Sequence, residues 1–201
     1  MKRVKLVVAY DGTNYCGWQV QPNGITIEGV LNRELRKLLK EDIVVIGASR
    51  TDSGVHSYGN VAVFDTNARM PAEKISYALN QRLPDDIVVQ NSSEIPLDWH
   101  PRHCNSRKTY EYRILNREFP MPQRRLDTWF VYRKLNILAM CEAAKQFEGT
   151  HDFKSFCSVN TAVEDTTRTI YSCELKQDGE LLTIRIIGSG VKIRNAGFLR
   201  C

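Results

Sequence analysis

The chain has 201 residues, is 42% hydrophobic and 25% charged, and carries a net charge of +5, the composition of an ordinary soluble globular protein with one large or two small domains. No apolar stretch is long enough for a signal peptide or a membrane span, and the start, Met1-Lys2-Arg3-Val4-Lys5-Leu6, runs straight into a strand-like pattern. Six scattered cysteines (Cys16, Cys104, Cys141, Cys157, Cys173, Cys201) form no CxxC pair and predict a reduced, cytoplasmic setting, while His100, His103 and Cys104 lack the second ligand pair that a zinc site needs.

Val4 to Tyr10 alternates as a strand and is closed by the turn Asp11-Gly12-Thr13-Asn14. Ile27, Val30, Leu31, Leu35, Leu38 and Leu39 recur at three-four spacing, which predicts a long amphipathic helix with Thr26 as its cap. Ile43 to Ile46 and Asn60 to Asp65 read as strands, Pro71 opens a second helix carrying Ile75, Ala78 and Leu79, and Ile87-Val88-Val89 is the last strand of this half. The order is βαββαβ, the split βαβ or ferredoxin-like unit. The second half starts the same way. Lys108 to Leu115 is a strand, Leu135 to Phe147 a helix ended by Gly149, and Arg168 to Lys176 with Leu181 to Ile187 a hairpin around Gln177-Asp178-Gly179-Glu180. That is βαββ, after which a closing helix and strand are due but few residues remain, interrupted by Gly188, Gly190 and Gly197. The expected fold is therefore α+β: two related ferredoxin-like halves, residues 1–100 and 101–201, with antiparallel sheets flanking a basic cleft, the second half incomplete by truncation or alteration.

The segment Gly47-Ala48-Ser49-Arg50-Thr51-Asp52-Ser53-Gly54-Val55-His56-Ser57 connects two predicted strands and has the features of an active site. In extended chain, side chains at i and i+2 point the same way, so Arg50 and Asp52 share one side and Thr51 the other, which predicts a paired, ionised Asp52. Gly47 and Gly54 permit a sharp turn and a close approach to a ligand. His56 reads as a packing or hydrogen-bonding residue of the loop rather than a base.

Charge is unevenly placed. Residues 1–100 hold 11 Lys+Arg against 12 Asp+Glu, whereas residues 101–201 hold 17 against 11. Arg102, Arg107, Lys108, Arg113, Arg117, Arg124, Arg125, Arg133 and Lys134 are interleaved with Tyr110, Tyr112, Phe119, Trp129, Phe130 and Tyr132, a mixture that binds phosphates by charge and unstacked bases by stacking. Arg107, Lys108 and Arg113 are the expected phosphate contacts.

The loop resembles the signature of the TruA-type tRNA pseudouridine synthases, with Arg50, Thr51, Asp52, Gly54, Val55 and His56 matched and Ser49, Ser53 and Ser57 standing where that family has Gly, Ala and Ala. Tyr10-Asp11-Gly12-Thr13, Gly17-Trp18-Gln19, Leu83-Pro84-Asp85-Asp86-Ile87, Tyr110-Glu111-Tyr112 and His151-Asp152-Phe153 with Ser155-Phe156 follow in the family's order, up to about Gly190. The resemblance implies an isomerase that turns uridine into pseudouridine in the anticodon stem-loop of tRNA, at positions 38 to 40. It implies a homodimer working without cofactor or metal. Asp52 is the implied nucleophile or base, Arg50 fills the space left by the flipped base, and Tyr110 stacks on the uracil and removes its ring-carbon proton. Trp18, Gln19, Thr51 and His56 are counted as substrate-binding, with Trp18 and Gln19 lining the RNA groove. His151-Asp152-Phe153 and Phe156 read as a helix-following loop packed against the cleft. Arg194 is the candidate for a second arginine near Asp52. Two other classes are open: an inactive RNA-binding module of the same fold, and a hydrolase or transferase using Asp52 with His56, which lacks the further base, metal cluster or phosphate loop it would need.

Overall fold

Strand β1 (Lys2–Tyr10) buries Val4, Leu6, Val8 and Tyr10 on one face while Arg3, Lys5 and Val7 lie on the other, as a period of two requires. In the computed structural model, which describes residues 1–104, 106–156 and 165–189, β1 is a central strand of the first of two compact units, Met1–Cys104 and Asn105–Cys201.

Helix α1 (Ile27–Leu39) lays Ile27, Leu31 and Leu35 on that face, and burying each contributes about 1.5–3 kcal/mol. Its start is set by Thr26, whose hydroxyl oxygen accepts the Gly29 N–H at 3.2 Å. Strand β2 is only Ile46–Gly47, not Ile43 to Ile46. Neighbouring side chains take the backbone groups that a longer strand would have used: Asn32 Oδ1 accepts the Val45 N–H at 2.8 Å, and Arg36 Nε donates to the Ile43 carbonyl at 2.9 Å. Strand β3 (Ser57–Thr66), helix α2 (Ala72–Asn80) and strand β4 (Ile87–Ile95) complete the unit. Pro71 caps α2 through its carbonyl, which accepts the Lys74 N–H at 3.0 Å. β4 runs well beyond Val89 because its polar residues pair with the whole of β1, as far as Ile95 opposite Arg3. The antiparallel order β2-β3-β1-β4 is that of a ferredoxin-like sheet.

In the second unit, strand β5 (Arg107–Asn116) is followed by β6 (Trp129–Val131), helix α3 (Ile137–Lys145), β7 (Gly149–Asp152), β8 (Thr167–Asp178) and β9 (Leu181–Ser189), in the sheet order β6-β5-β9-β8-β7. The β5-β9-β8 core repeats β1-β3-β2 of the first unit. β6 and β7 are additions to the expected βαββ. β6 pairs parallel to the end of β5, held by Asn116 Nδ2 on the Val131 and Arg133 carbonyls at 2.8 and 2.7 Å, so this sheet is mixed rather than purely antiparallel. α3 is shorter than expected at both ends. Asn136 caps it by accepting the Ala139 N–H, and after Lys145 the chain turns into Gly149, whose φ of 105° starts β7. His151 and Asp152 therefore lie on a strand, not in a loop. Phe147 and Phe153 pack against this unit's own small core of Ala144, Ile170, Cys173 and Ile186, and the exposed Phe156 sets its ring 5.7 Å from that of Phe147 and 6.1 Å from that of Phe153. Leu182 and Ile186 are buried, and Leu175 and Ile184 are half-buried. The end of this half, expected to be incomplete, and Arg194 fall on residues 190–201, outside the described residues.

Candidate active site

Gly47 ends β2 and roots the loop. A Cβ at this position would lie 2.4 Å from Nε1 of Trp18, so glycine lets the indole pack directly under the chain. Arg102 Nε donates to the Gly47 carbonyl at 2.9 Å, and the Ala48 N–H continues the sheet to Val61 O at 2.7 Å. Asn60 Nδ2 then donates to the Ser49 carbonyl at 3.0 Å.

Thr51 is held at two points. Its carbonyl accepts the Trp18 N–H at 3.0 Å, and its hydroxyl shares a 2.8 Å hydrogen bond with the hydroxyl of Tyr10. Asp52 is the first residue of a turn closed by the Val55 N–H on its carbonyl at 3.2 Å, with Gly54 at φ 77°, the value a type II turn needs at its third position. The turn is fastened to the Tyr15 carbonyl, which accepts the Gly54 N–H at 3.3 Å and the Ser53 hydroxyl at 3.1 Å. Tyr15 itself is buried and donates its phenol to Asp86 Oδ1 at 2.5 Å.

At the loop's end, His56 Nδ1 lies 3.0 Å from Asp11 Oδ1 and 3.3 Å from the Gly12 nitrogen. The Gly12 N–H is directed at this nitrogen, so the Asp11–Gly12 turn grips the imidazole at Nδ1. Thr13 donates its hydroxyl and its N–H to the same Asp11 oxygen, and these bonds, with His56 adding to them, hold the Asp11 carboxyl below the usual range.

The result is a loop braced from beneath that presents Arg50 and Asp52 to solvent, with Thr51 turned inward, as the i, i+2 alternation requires. The two charges are not paired: the ion pairs among the described residues include none between Arg50 and Asp52. An exposed carboxylate on a fixed backbone is suited to act on a ligand that comes to it.

Trp18 needs correction as a groove-lining residue. It is 0% exposed, in the first unit's core, with its ring 5.9 Å from that of Tyr10. Gln19, next to it, is exposed. Thr51 faces the protein interior, so its side chain positions the loop rather than meeting a ligand. In the second unit, strand alternation divides the expected basic set: Arg107 and Arg113 lie on one face of β5, Lys108 and Tyr110 on the other. The Arg107 guanidinium stacks over Tyr171 at 4.7 Å, whereas Arg113 is bound to Glu111 and to Asp127, each at 3.3 Å. Arg185 also bonds Glu111, and this bond is the main reason that the Glu111 carboxyl sits below its ordinary value. Tyr110 packs against the small core beside Ile186, its partner across the strands. Sequence reasoning missed Tyr10, Tyr15, Asp86 and Arg102 as parts of the loop's foundation. Tyr10 and Asp86 lie in segments that the resemblance had already singled out, but without a role, and Tyr15 lies between two of them. Among the described residues no group of three or more His, Cys, Asp or Glu side chains is placed to hold a metal, and no helix is long and apolar enough to cross a membrane.

Comparison with known proteins points in one direction. The family model described as tRNA pseudouridine synthase matches residues 6–103 and 143–198. The chain is 44% identical over 190 residues to tRNA pseudouridine synthase A of Thermoanaerobacter pseudethanolicus, covering 94% of this chain and 78% of that one. It is 43% identical to the protein of the same name from Acetivibrio thermocellus, with the same coverage, and 45% identical to that of Citrifermentans bemidjiense, covering 94% and 76%.

Proposed function

The chain belongs to the tRNA pseudouridine synthase family, and from that premise we propose that it isomerises uridine to pseudouridine in the anticodon stem-loop of tRNA, at positions 38 to 40, with Asp52 as its catalytic carboxylate. The observation that carries the reading is the placement of Asp52: an exposed carboxylate at the head of a turn tethered to Tyr15, beside a Thr51 held by Tyr10 and Trp18, within the span that matches the family.

The reaction breaks the bond between N1 of uracil and C1′ of ribose, makes a bond from C5 to C1′, moves a proton onto N1 and releases the proton of C5. Asp52 enters either by adding to C1′ or by taking a proton from the ribose to give a glycal-like intermediate. Reaching it requires the uridine to leave its stack, at a cost of a few kcal/mol. Arg50, exposed and unpaired with Asp52, is available to fill the space that the base leaves. Tyr110 carries the family-implied role of base toward C5, and Gln19 and His56 contact the RNA. The remaining parts of the reading are cytoplasmic location, a homodimer, and tRNA held through the basic second unit, with no resident cofactor.

The test is tritium release from tRNA labelled at C5 of its uracils. Asp52→Asn removes charge and nucleophilicity with little change of volume, so release stops while tRNA affinity stays within a few fold. Release near the parent rate in Asp52→Asn refutes the assignment. Binding of tRNA by the parent chain without any release supports instead a binding module of the same fold.

A further inference from the structure

Beneath the Asp52 loop, the Tyr10 hydroxyl is buried and meets polar groups from both ends of the loop. Thr51 Oγ1 shares a hydrogen bond with it at 2.8 Å, and the side chains of Ser57 and Asn60, where the chain re-enters β3, direct polar groups at the same oxygen. Asn60 also donates to Ser49 O on the outgoing side, at 3.0 Å. Burial raises the Tyr10 pKa above its ordinary value, so the phenol stays neutral and keeps its proton as a donor.

We propose that Tyr10 is a positioning residue for Asp52, acting through the hydroxyl of Thr51. Thr51 and Asp52 are consecutive. With the Thr51 side chain fixed by Tyr10, the Thr51 carbonyl by Trp18 N–H, and the Asp52 carbonyl by Val55 N–H, little but the Asp52 side-chain torsions is left free. Among the described residues, the Tyr10 bond is the one side-chain tether on the residue preceding the carboxylate. Removing it lets the Thr51 peptide rotate and carries Asp52 with it; a displacement of about 1 Å at a reacting group costs as much as 100-fold in rate. Tyr10 touches no substrate in this role, so the loss falls on turnover and not on binding.

This inference rests on Asp52 as the catalytic carboxylate, and the experiment separates the two. Tyr10→Phe, Thr51→Val, Thr51→Ser, the double variant Tyr10→Phe/Thr51→Val, and Asp52→Asn are compared with the parent well below their measured melting temperatures. Tyr10→Phe and Thr51→Val each lower kcat by roughly 10- to 100-fold with tRNA Kd within about twofold. The double variant falls no further than either single one, because all three lack the same bond. Thr51→Ser recovers most of the loss. Amide exchange at Trp18 and Val55 speeds up in Tyr10→Phe and Thr51→Val, whatever the turnover. The proposal is overturned by a parent-like kcat in Tyr10→Phe, by additive losses in the double variant, by a loss that appears in Kd, or by unchanged exchange at Trp18 and Val55. Turnover surviving in Asp52→Asn overturns the assignment of the site itself, and the inference with it; a silent Asp52→Asn beside a parent-like Tyr10→Phe removes only the role of Tyr10.

Discussion

Replacing Gly47 by alanine tests whether the loop's root is as tightly packed as its geometry says. The new methyl would sit 2.4 Å from Trp18 Nε1, 2.5 Å from Cε2 and 2.8 Å from Cζ2. None of these atoms is the end of a flexible side chain: they belong to a rigid bicycle with 0% exposure that contacts Tyr10. Either the indole or β2 must shift. Overpacking of this kind costs about 1–3 kcal/mol, against which the entropic gain of alanine over glycine in the unfolded chain returns roughly 0.4–1 kcal/mol. A net loss of about 1–2 kcal/mol in a chain of this size lowers Tm by roughly 2–8 °C. The contrasting variant is Gly54→Ala, where nothing lies within 4 Å of the added methyl and the cost is only that of φ 77°. Thermal unfolding followed by circular dichroism reads both. Trp18→Phe in the Gly47→Ala background removes the clashing part of the ring and restores part of the lost Tm, but it does nothing for Gly54→Ala. A Gly47→Ala protein that melts with the parent, or one that Trp18→Phe makes worse, refutes the packing argument.

Two predictions concern charge. Asp65 accepts Nε and Nη2 of Arg3 at 2.7 Å each, directly across β1 and β3, and this bond holds its carboxyl below the ordinary value of 3.8. A carboxyl depressed on folding adds stability that is present above its unfolded value and is lost as pH falls through the lower folded value. Tm of the parent therefore declines more steeply below about pH 4 than that of Asp65→Asn, which is less stable at pH 7 and flatter in acid; parallel profiles would contradict it. On the second unit, Arg107→Ala flattens the dependence of log Kd for tRNA on log salt by about one unit, whereas Arg113→Ala, whose charge Glu111 and Asp127 already balance, flattens it by less than about half as much. Equal changes in the two slopes would show that the ion pairs of Arg113 open when RNA binds.

The elements that could be read along the chain are those whose pattern repeats within a dozen residues. The even-numbered face of β1, the stripe of α1 with its Thr26 cap, and the β8–β9 hairpin turning at Gly179, φ 58°, are local consequences of period, capping and turn chemistry. So is the outward display of Arg50 and Asp52 with Thr51 turned in. Other features escaped a reading of this kind. β2 shrank because Asn32 and Arg36 took its backbone groups; β6 and β7 have no pattern of their own and exist only as partners of β5 and β8. Trp18, an aromatic beside exposed Gln19, looked like a surface for bases until Gly47 closed over it. Arg113 counted as free charge until Glu111 and Asp127 were beside it.

The sequence by itself determined that this is an α+β chain with a repeated ferredoxin-like order and that its chemistry centres on the loop of Asp52, because residue types and short-range periodicity carry that information. Only the tertiary structure decided what holds the loop. Its supports come from Tyr10, 41 residues before Thr51, from Arg102, 55 residues after Gly47, and from Tyr15 and Asp86, 71 residues apart. Such hydrogen bonds have no signature in the local pattern, since each partner is compatible with many environments until folding brings the two within reach.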